Sequence, residues 1–303
     1  MSSSLLTNTA AMTALQTLRA VSQSLQTTEN RISTGQRVAT ASDNAAYWSI
    51  ATSMRADNNA LSAVSDSLGL SAATVDTQYT GLTAVLGSDG NSGLTKLQAD
   101  LVEAKTAGID RVKIQSDITQ IQQDMKNTAN SATFNGVNWL STSPTTPATV
   151  NLISSYSRVG AVPTTNSIAV TVANYSLYTT TQSGYLDTAT AGVSIDNMDI
   201  SALTDSAADQ TKLDGYIAQV TAAINSVSQG AADLGAIKNR ISNNSEFVKT
   251  LMDSVTRGIG QLVDADMNAE STRLQALQVQ QQLGTQALSI ANNSSQSILS
   301  LFR

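Results

Sequence analysis

Cysteine and histidine are both absent from this chain of 303 residues. The thiol nucleophile, the most common general base, and thiolate and imidazole metal ligands are therefore missing. An enzyme would be left with Ser/Lys or carboxylate chemistry, and the chain contains no glycine-rich phosphate loop. We accordingly expect a protein that is not an enzyme and that uses no metal or other cofactor.

Aromatic residues are scarce, at 4% of the chain, although 41% of all residues are hydrophobic. Few large rings are available to anchor a compact core, so many small contacts along extended elements must supply the buried area. The composition therefore favours long helices.

Runs of basic residues are also missing, since 17 Lys and Arg stand against 23 Asp and Glu and the net charge is −6. Nucleic acids and anionic membrane surfaces attract clustered cations, so neither is expected as a partner. The first residues contain no basic segment followed by an apolar run long enough for a signal peptide or a membrane span. Composition alone thus favours a cytosolic protein.

Proline is confined to one stretch, Pro144 to Pro163, which divides the sequence into three blocks. The proline-free flanks, from about residue 3 to 140 and from about 202 to 303, can carry long uninterrupted helices. The middle block is rich in Ser, Thr, Val and Tyr, and its alternating runs predict short strands. These runs are Ser167–Val172, Tyr175–Tyr178 and Gly192–Ile195.

Apolar side chains in both flanks recur every three or four residues, as on one face of a helix. In the first flank this stripe is strict, and it requires a partner helix. It consists of Ala11, Ala14, Leu18, Val21, Leu25, Thr28 and Ile32. The last flank repeats the spacing less regularly, because Gln281 and Gly284 interrupt it. Its members are Leu262, Met267, Leu274, Leu277, Leu288, Ala291 and Ile298.

Local signals predict where the helices begin and end. A second helix opens after Ser42 and Asp43, either of which could cap it, and the glycine cluster from residue 87 to 93 interrupts it. A further break is expected at Gly108. Asp264 and Asp266 are expected to cap the last helix or to be solvated rather than to bind a cation, since alternate helical positions point about 200° apart.

The terminal stripes contain few large apolar residues. Full burial of a Leu or Ile contributes roughly 1.5 to 3 kcal/mol, whereas ordering the backbone costs about 1 to 2 kcal/mol per residue. We therefore hypothesise that both chain ends are disordered in the free monomer and fold on assembly. Periodicity alone favours the ordinary core of a soluble helical bundle over a polymer interface.

Motifs at both ends resemble those of bacterial flagellins. The stretch Arg273–Asn292, followed by Gln296–Arg303, matches the flagellin carboxyl terminus almost letter for letter. Asp264–Met267 resembles the motif that precedes this terminal helix, and Arg31–Gly35 followed by Ser42–Ala46 resembles the amino-terminal signature. The matches span both flanks and leave the middle block uncovered. These motifs favour a polymer interface over the ordinary helical core that periodicity alone favours.

The resemblance implies a mainly α fold, in which long helices from both chain ends form a coiled coil and a rod, with a small β-rich central insertion. It implies an inner coiled coil that lines a channel (1–40 and 266–303), an outer helical rod (41–143 and 202–265) and a variable surface region (144–201). The turn that closes the amino-terminal core helices would be Phe134, Asn135 and Gly136. The coiled-coil and polymer interface would contain Leu18, Val21, Leu25, Ile32, Met267, Leu274, Leu277, Leu288, Ala291, Ile298 and Phe302.

A flagellin is a structural subunit that polymerises into the flagellar filament outside the cell. The resemblance implies export in the unfolded state through the flagellar export apparatus, aided by a chaperone, and assembly at the distal tip. The implied partners are further copies, alone or with other flagellins, the filament cap and the hook-junction proteins. The alternative is the hook-filament junction protein itself, which shares the terminal helices, although the Gln-rich carboxyl motif favours flagellin.

Weak recognition by the vertebrate innate receptor is expected, because Gly93–Glu103 contains Lys96 and no Arg.

Overall fold

A computed structural model describes residues 8–87, 89–143, 146–159, 162–190 and 192–301. The protein is mainly α-helical with a small strand-containing insertion, as the sequence predicts. The helices described are α1 (Thr9–Thr34), α2 (Ala45–Leu86), α3 (Gly93–Glu103), α4 (Arg111–Ser131), α5 (Ala207–Val263) and α6 (Met267–Leu301). The strands described are β1 (Ser141–Thr142), β2 (Thr149–Val159), β3 (Val162–Thr171) and β4 (Tyr178–Thr179).

The described residues form two compact units. One, which we call the terminal unit, holds the described parts of Met1–Asn59 and Asp253–Arg303. The other, the central unit, holds the described parts of Ala60–Met252. Helices α2 and α5 each contribute residues to both units.

The helix boundaries follow local sequence signals. Helix α1 ends at Gly35, whose φ of 70° is a left-handed conformation that glycine adopts without strain. Gly87 ends α2 in the same way, with a φ of 69°, and thereby confirms the predicted break at the glycine cluster. The Asp110 carboxylate caps α4 by accepting a hydrogen bond from the Val112 N–H.

The cap of α2 differs from the prediction. The Asn44 side chain, and not that of Ser42 or Asp43, accepts a hydrogen bond from the first turn, donated by the Tyr47 N–H at 3.1 Å. The Asp43 carboxylate instead accepts from the N–H groups of residues 39 and 40, at 3.1 and 2.9 Å, and so closes the loop ahead of the helix. Backbone hydrogen bonds from Thr40 lower the pKa of Asp43. Three consecutive polar residues can each cap, and the sequence does not decide which one does.

The central unit buries its leucine-rich helix faces against one another. Helix α2 runs antiparallel to α5, because Asp76 pairs with Lys238 and a Cβ on Gly235 would lie 3.9 Å from the Tyr79 ring. Helices α3 and α4 pack side by side. The fully buried side chains include Leu68, Leu82, Leu97, Leu101 and Ile118.

In the described part of the insertion, the strands form two separate pairs. Strands β2 and β3 form an antiparallel hairpin with a bulge between Ile153 and Ser155, and β1 pairs with β4 in parallel. The strand predicted at Ser167–Val172 is right for Ser167 to Thr171, whereas Val172 begins a short 3-10 turn.

The other two predicted strands are largely wrong. Of Tyr175–Tyr178 only Tyr178 lies in a strand, because the N–H groups of Leu177 and Tyr178 both donate to the Leu140 carbonyl oxygen and end the pairing there. The stretch Gly192–Ile195 forms one isolated bridge and then enters a 3-10 turn at Ile195. Helix side chains contact the second of these runs, since Gln122 of α4 donates to the Ile195 carbonyl oxygen at 2.8 Å and Gln219 of α5 donates to that of Val193 at 3.2 Å.

Candidate functional site

Helices α1 and α6 pair in opposite directions within the terminal unit. The Asn8 side-chain amide donates to the Ala291 carbonyl oxygen at 3.0 Å, and the Arg31 guanidinium meets the Glu270 carboxylate at 3.0 Å. The chain advances 23 residues from 8 to 31 while its partner retreats 21 residues from 291 to 270. The two helices therefore stay in step along their paired length, as in a coiled coil.

Small residues let the two helices approach closely. A Cβ on Gly284 would lie 3.4 Å from Leu18 Cδ1, so Leu18 packs directly over this glycine. One heptad along from this contact, the register sets Leu25 opposite Leu277, which is 8% exposed. Gln281 also faces the seam and is half-buried. The irregularity seen in the sequence is thus a feature of the seam itself.

The predicted interface residues fall mostly on this intramolecular seam. Met267 is 43% exposed, and Leu277 is buried. Ile298 lies within α6, but its side chain is outside the described part of the structure, and Phe302 is outside the described residues. The remaining members are half-buried, namely Leu18, Val21, Leu25, Ile32, Leu274, Leu288 and Ala291.

A second apolar stripe on α6 is exposed. Val279, Leu283 and Ile290 are 54%, 58% and 69% exposed, and Ala276 precedes them at the same spacing. At 3.6 residues per turn this outer stripe points roughly 140° away from the seam. Apolar spacing in the sequence predicted one stripe on each helix and did not predict this second stripe on α6. A count of apolar residues on every face of α6 would have found it.

Backbone pairing joins the end of α1 to the start of α6. The N–H groups of Arg37 and Val38 donate to the Val263 carbonyl oxygen at 2.6 and 3.2 Å, and the Ala265 N–H donates to the Gly35 carbonyl oxygen at 2.9 Å. Val38 and Val263 are buried with Ala51 beneath this junction. The base of the helix pair is therefore held by the loop that follows α1.

The first turn of α6 is capped by a carboxylate. Asp266 Oδ1 accepts hydrogen bonds from the N–H groups of Asn268 and Ala269 at 2.9 and 3.2 Å. Its negative charge also lies at the positive end of the helix dipole. Of the two outcomes expected for Asp266, capping or solvation, the structure shows capping.

The predicted turn at Phe134, Asn135 and Gly136 is a tight reversal after α4. The Phe134 and Val137 backbones exchange hydrogen bonds of 3.0 and 2.9 Å, with φ of 49° at Asn135 and 77° at Gly136. Positive φ at both central positions suits the Asn-Gly pair.

Gln78 holds the chain around this turn against α2. Its side chain is fully buried, donates to the Ala132 carbonyl oxygen at 2.9 Å and accepts from the Trp139 N–H at 3.1 Å. The role of Gln78 could not be predicted, because a single glutamine in a helix carries no signal of a partner 61 residues away.

Arg111 is a second polar anchor that the sequence did not reveal. Its guanidinium is buried and donates to the carbonyl oxygens of Ala104 and Leu203 and to the Asp205 carboxylate, at 2.9, 3.3 and 2.5 Å. Asp205 also accepts from the Gly108 N–H at 3.2 Å. The hydrogen bond from Arg111 keeps the pKa of Asp205 below its ordinary value. This cluster ties the α3–α4 connection to the chain that leads into α5.

Within the described ranges, no three acidic side chains come together as metal ligands would, and no helix has the length and hydropathy of a membrane span. The arrangement with the clearest chemical character is the pair α1 and α6. Residues 274–302 contain no Asp, Glu, Lys or Arg, and residues 1–28 contain only Arg19. A nearly uncharged surface with an exposed apolar stripe is suited to association with other protein surfaces.

Comparisons with known proteins agree over nearly the whole chain. The profile described as "Bacterial flagellin N-terminal helical region" matches residues 5–145, and "Bacterial flagellin C-terminal helical region" matches residues 217–302. Flagellin C of Rhizobium meliloti (strain 1021) is 41% identical over 331 residues, covering 99% of each chain. The flagellin of Brucella melitensis biotype 1 is 45% identical over 301 residues, again covering 99% of each chain.

Proposed function

Because this chain belongs to the bacterial flagellin family, it is a structural subunit of the flagellar filament, and we propose that its copies join through the paired terminal helices. The family is structural and forms an extracellular filament by self-polymerisation. Full-length similarity to proteins named flagellin favours this function over that of the hook-filament junction protein.

The observation that carries the proposal is the outer stripe of α6. Val279, Leu283 and Ile290 are all more than half exposed, although α6 already buries its opposite face against α1. Full burial of each such side chain contributes roughly 1.5 to 3 kcal/mol. Neighbouring copies in a filament would supply the surface that covers them.

The small number of large side chains buried along the seam also supports ordering of the chain ends on assembly. The seam between α1 and α6 includes Gly284, Gln281 and Thr28, so it buries few large side chains. Helices of this kind are marginal without tertiary packing. Contacts with further copies would add the missing burial, and in a solution of free monomer the two helices would be largely disordered.

The layered architecture extends this proposal. Residues 1–40 and 266–303 would form the inner coiled coil around a channel, residues 41–143 and 202–265 the outer rod, and residues 144–201 the variable surface. Within the inner layer the contacts would come from Leu18, Val21, Leu25, Ile32, Met267, Leu274, Leu277, Leu288, Ala291, Ile298 and Phe302. The Phe134–Gly136 turn would close the core helices of the rod.

Export and delivery belong to the same proposal. The subunit would leave the cell unfolded through the flagellar export apparatus, with a chaperone, and add at the distal tip beneath the filament cap. The first copies would contact the hook-junction proteins, and other flagellins could join the same polymer. No catalytic activity is proposed, and recognition by the vertebrate innate receptor would be weak. In α3 the lone cation, Lys96, is already paired with Asp100.

Truncation within α6 tests the proposal. A chain that ends at Arg273 lacks the outer stripe and most of the seam, but it retains the central unit. We expect a soluble, largely helical protein by circular dichroism that forms no filaments in electron micrographs when seeded with filament fragments. The full chain is the control and should extend the seeds. Long tubes from the truncated chain would contradict the proposal.

A further inference from the structure

A groove of about 1000 Å³ runs beside the seam between α1 and α6. Its apolar wall consists of Met12 and Leu15 from α1, which are 66% and 39% exposed, and Leu288 from α6, which is half-buried. Among the described residues that line it, Arg19 is the only charged one. Its polar border is completed by Asn8, Thr9, Thr13, Gln16 and Asn292.

The groove and the outer stripe of α6 lie on different faces of the same helix pair. Leu288 lines the groove, whereas Leu283 and Ile290 point away from the seam on the far side of α6. A copy therefore cannot place its own stripe in its own groove. Both surfaces remain available to neighbours at the same time.

The two surfaces match in length and in chemistry. The stripe extends from Val279 to Ile290 and the groove from Asn8 to Arg19, each a span of 11 residues or about 16 Å of helix. The stripe lies within a segment without any charge, so it can enter an apolar groove without burying an ion. Arg19 lies at the end of the groove and can stay in contact with water.

We infer that the groove of one copy receives the outer stripe of the next copy, an inference that rests on the proposed polymerisation. Docking an apolar helix face into a groove is a common mode of helix recognition. Because the two surfaces do not overlap, the contact is head-to-tail and propagates from copy to copy. A contact of this kind builds an open helical array and not a closed pair.

Cysteine cross-linking tests the inference, since the natural chain contains no cysteine. Leu15 lies in the middle part of the groove and Leu283 in the middle part of the stripe, so they approach whichever way the incoming helix runs. Leu15→Cys and Leu283→Cys are made in separate chains, mixed, polymerised and oxidised. Disulfides form only between Cα atoms within about 7 Å, so docking yields a covalent dimer of the two different chains.

Gln278→Cys serves as the matched control on the same helix. It is exposed, but it points away from the outer stripe. In filaments, we expect at least about ten times more dimer from the Leu15 and Leu283 mixture than from the Leu15 and Gln278 mixture. In dilute monomer, we expect no such difference. Filaments with equal yields, or with dimers only between two Leu283→Cys chains, would overturn the inference and leave polymerisation intact. Absence of filaments from the natural chain would overturn both.

A double-mutant cycle tests the same contact between Leu15 and Leu283 even if the cysteine variants assemble poorly. Leu15→Ala and Leu283→Ala should each raise the critical concentration for polymerisation about 5-fold. If the two side chains meet across one interface, the double variant should raise it by little more than either single change. Fully multiplicative effects would show that the two residues bind different partners and would refute the docking.

Discussion

Ile290→Gln is the most direct probe of the outer stripe. Ile290 is 69% exposed in the single chain, so its removal costs the isolated subunit little. Full burial of an isoleucine contributes roughly 1.5 to 3 kcal/mol, and about two thirds of that, or about 1 to 2 kcal/mol, is still available to a neighbouring copy. Glutamine keeps a similar length and a good helix propensity but forfeits this gain.

The expected result is a rise in the critical concentration by about 5- to 30-fold, which corresponds to that loss of free energy. The assay measures the subunit remaining in the supernatant after seeded polymerisation and sedimentation. Gln278→Ala, an exposed change elsewhere on α6, should leave the critical concentration within about 2-fold of the natural value. An unchanged critical concentration for Ile290→Gln would refute the assignment of the stripe to subunit contacts.

Three further changes test the central unit, each by urea unfolding of the monomer followed by circular dichroism. Leu68→Ala, at a fully buried position, should lower the free energy of unfolding by about 2.7 to 5 kcal/mol, whereas Leu70→Ala, at a site 52% exposed, should change it by less than about 0.5 kcal/mol. Gly87→Ala should lower the free energy of unfolding more than Gly90→Ala does, although both glycines have positive φ. Of the two new Cβ atoms, only that at position 87 would lie 1.8 Å from a carbonyl oxygen. Equal losses of unfolding free energy in the two variants would contradict this. Asp205 has a lowered pKa, so its ion pair stabilises the fold above about pH 4 and loses this effect as the pH falls through the folded-state pKa. Asp205→Asn should therefore weaken the fold at pH 7 and flatten its acid dependence, and a dependence as steep as that of the natural chain would show that other carboxylates control it.

Most of the helical architecture could be predicted from the sequence because its signals are local. Proline is missing from both flanks, the glycine cluster that begins at Gly87 ends α2, and Asp110 and Asp266 cap the helices that follow them. Each of these effects depends on residues within one turn of the boundary. The cap of α2 was missed because Asn44 competes with two equally capable neighbours.

The strands of the insertion were harder to predict because their partners are distant or are not strands. Residues 149–159 and 162–171 form an antiparallel hairpin with one bulge, and alternation detected part of its second strand. Tyr175 and Leu177 alternate as well, but both are buried, and Leu177 binds the Leu140 carbonyl oxygen. Tertiary burial and strand pairing produce the same pattern in a short sequence.

The candidate site shows a similar division. The apolar stripes of α1 and α6 could be predicted from spacing. Spacing alone could not show that these two helices pair, since they lie at opposite ends of the chain, and only the resemblance to flagellins implied it. The polar anchors Gln78 and Arg111 were missed because their partners lie 61 and 94 residues away. The outer stripe was present in the sequence, but whether Ile290 is covered depends on which face of α6 meets α1.

The hydrogen bond between Asn8 and Ala291 spans 283 residues, so the helix made first during translation pairs with the helix made last. Until α6 is synthesised, α1 has no partner within its own molecule. A product of premature termination lacks the outer stripe and also Leu288, one wall of the groove. If copies join through the groove and the outer stripe, only a polypeptide translated through α6 carries both surfaces, and the growing polymer would exclude truncated subunits.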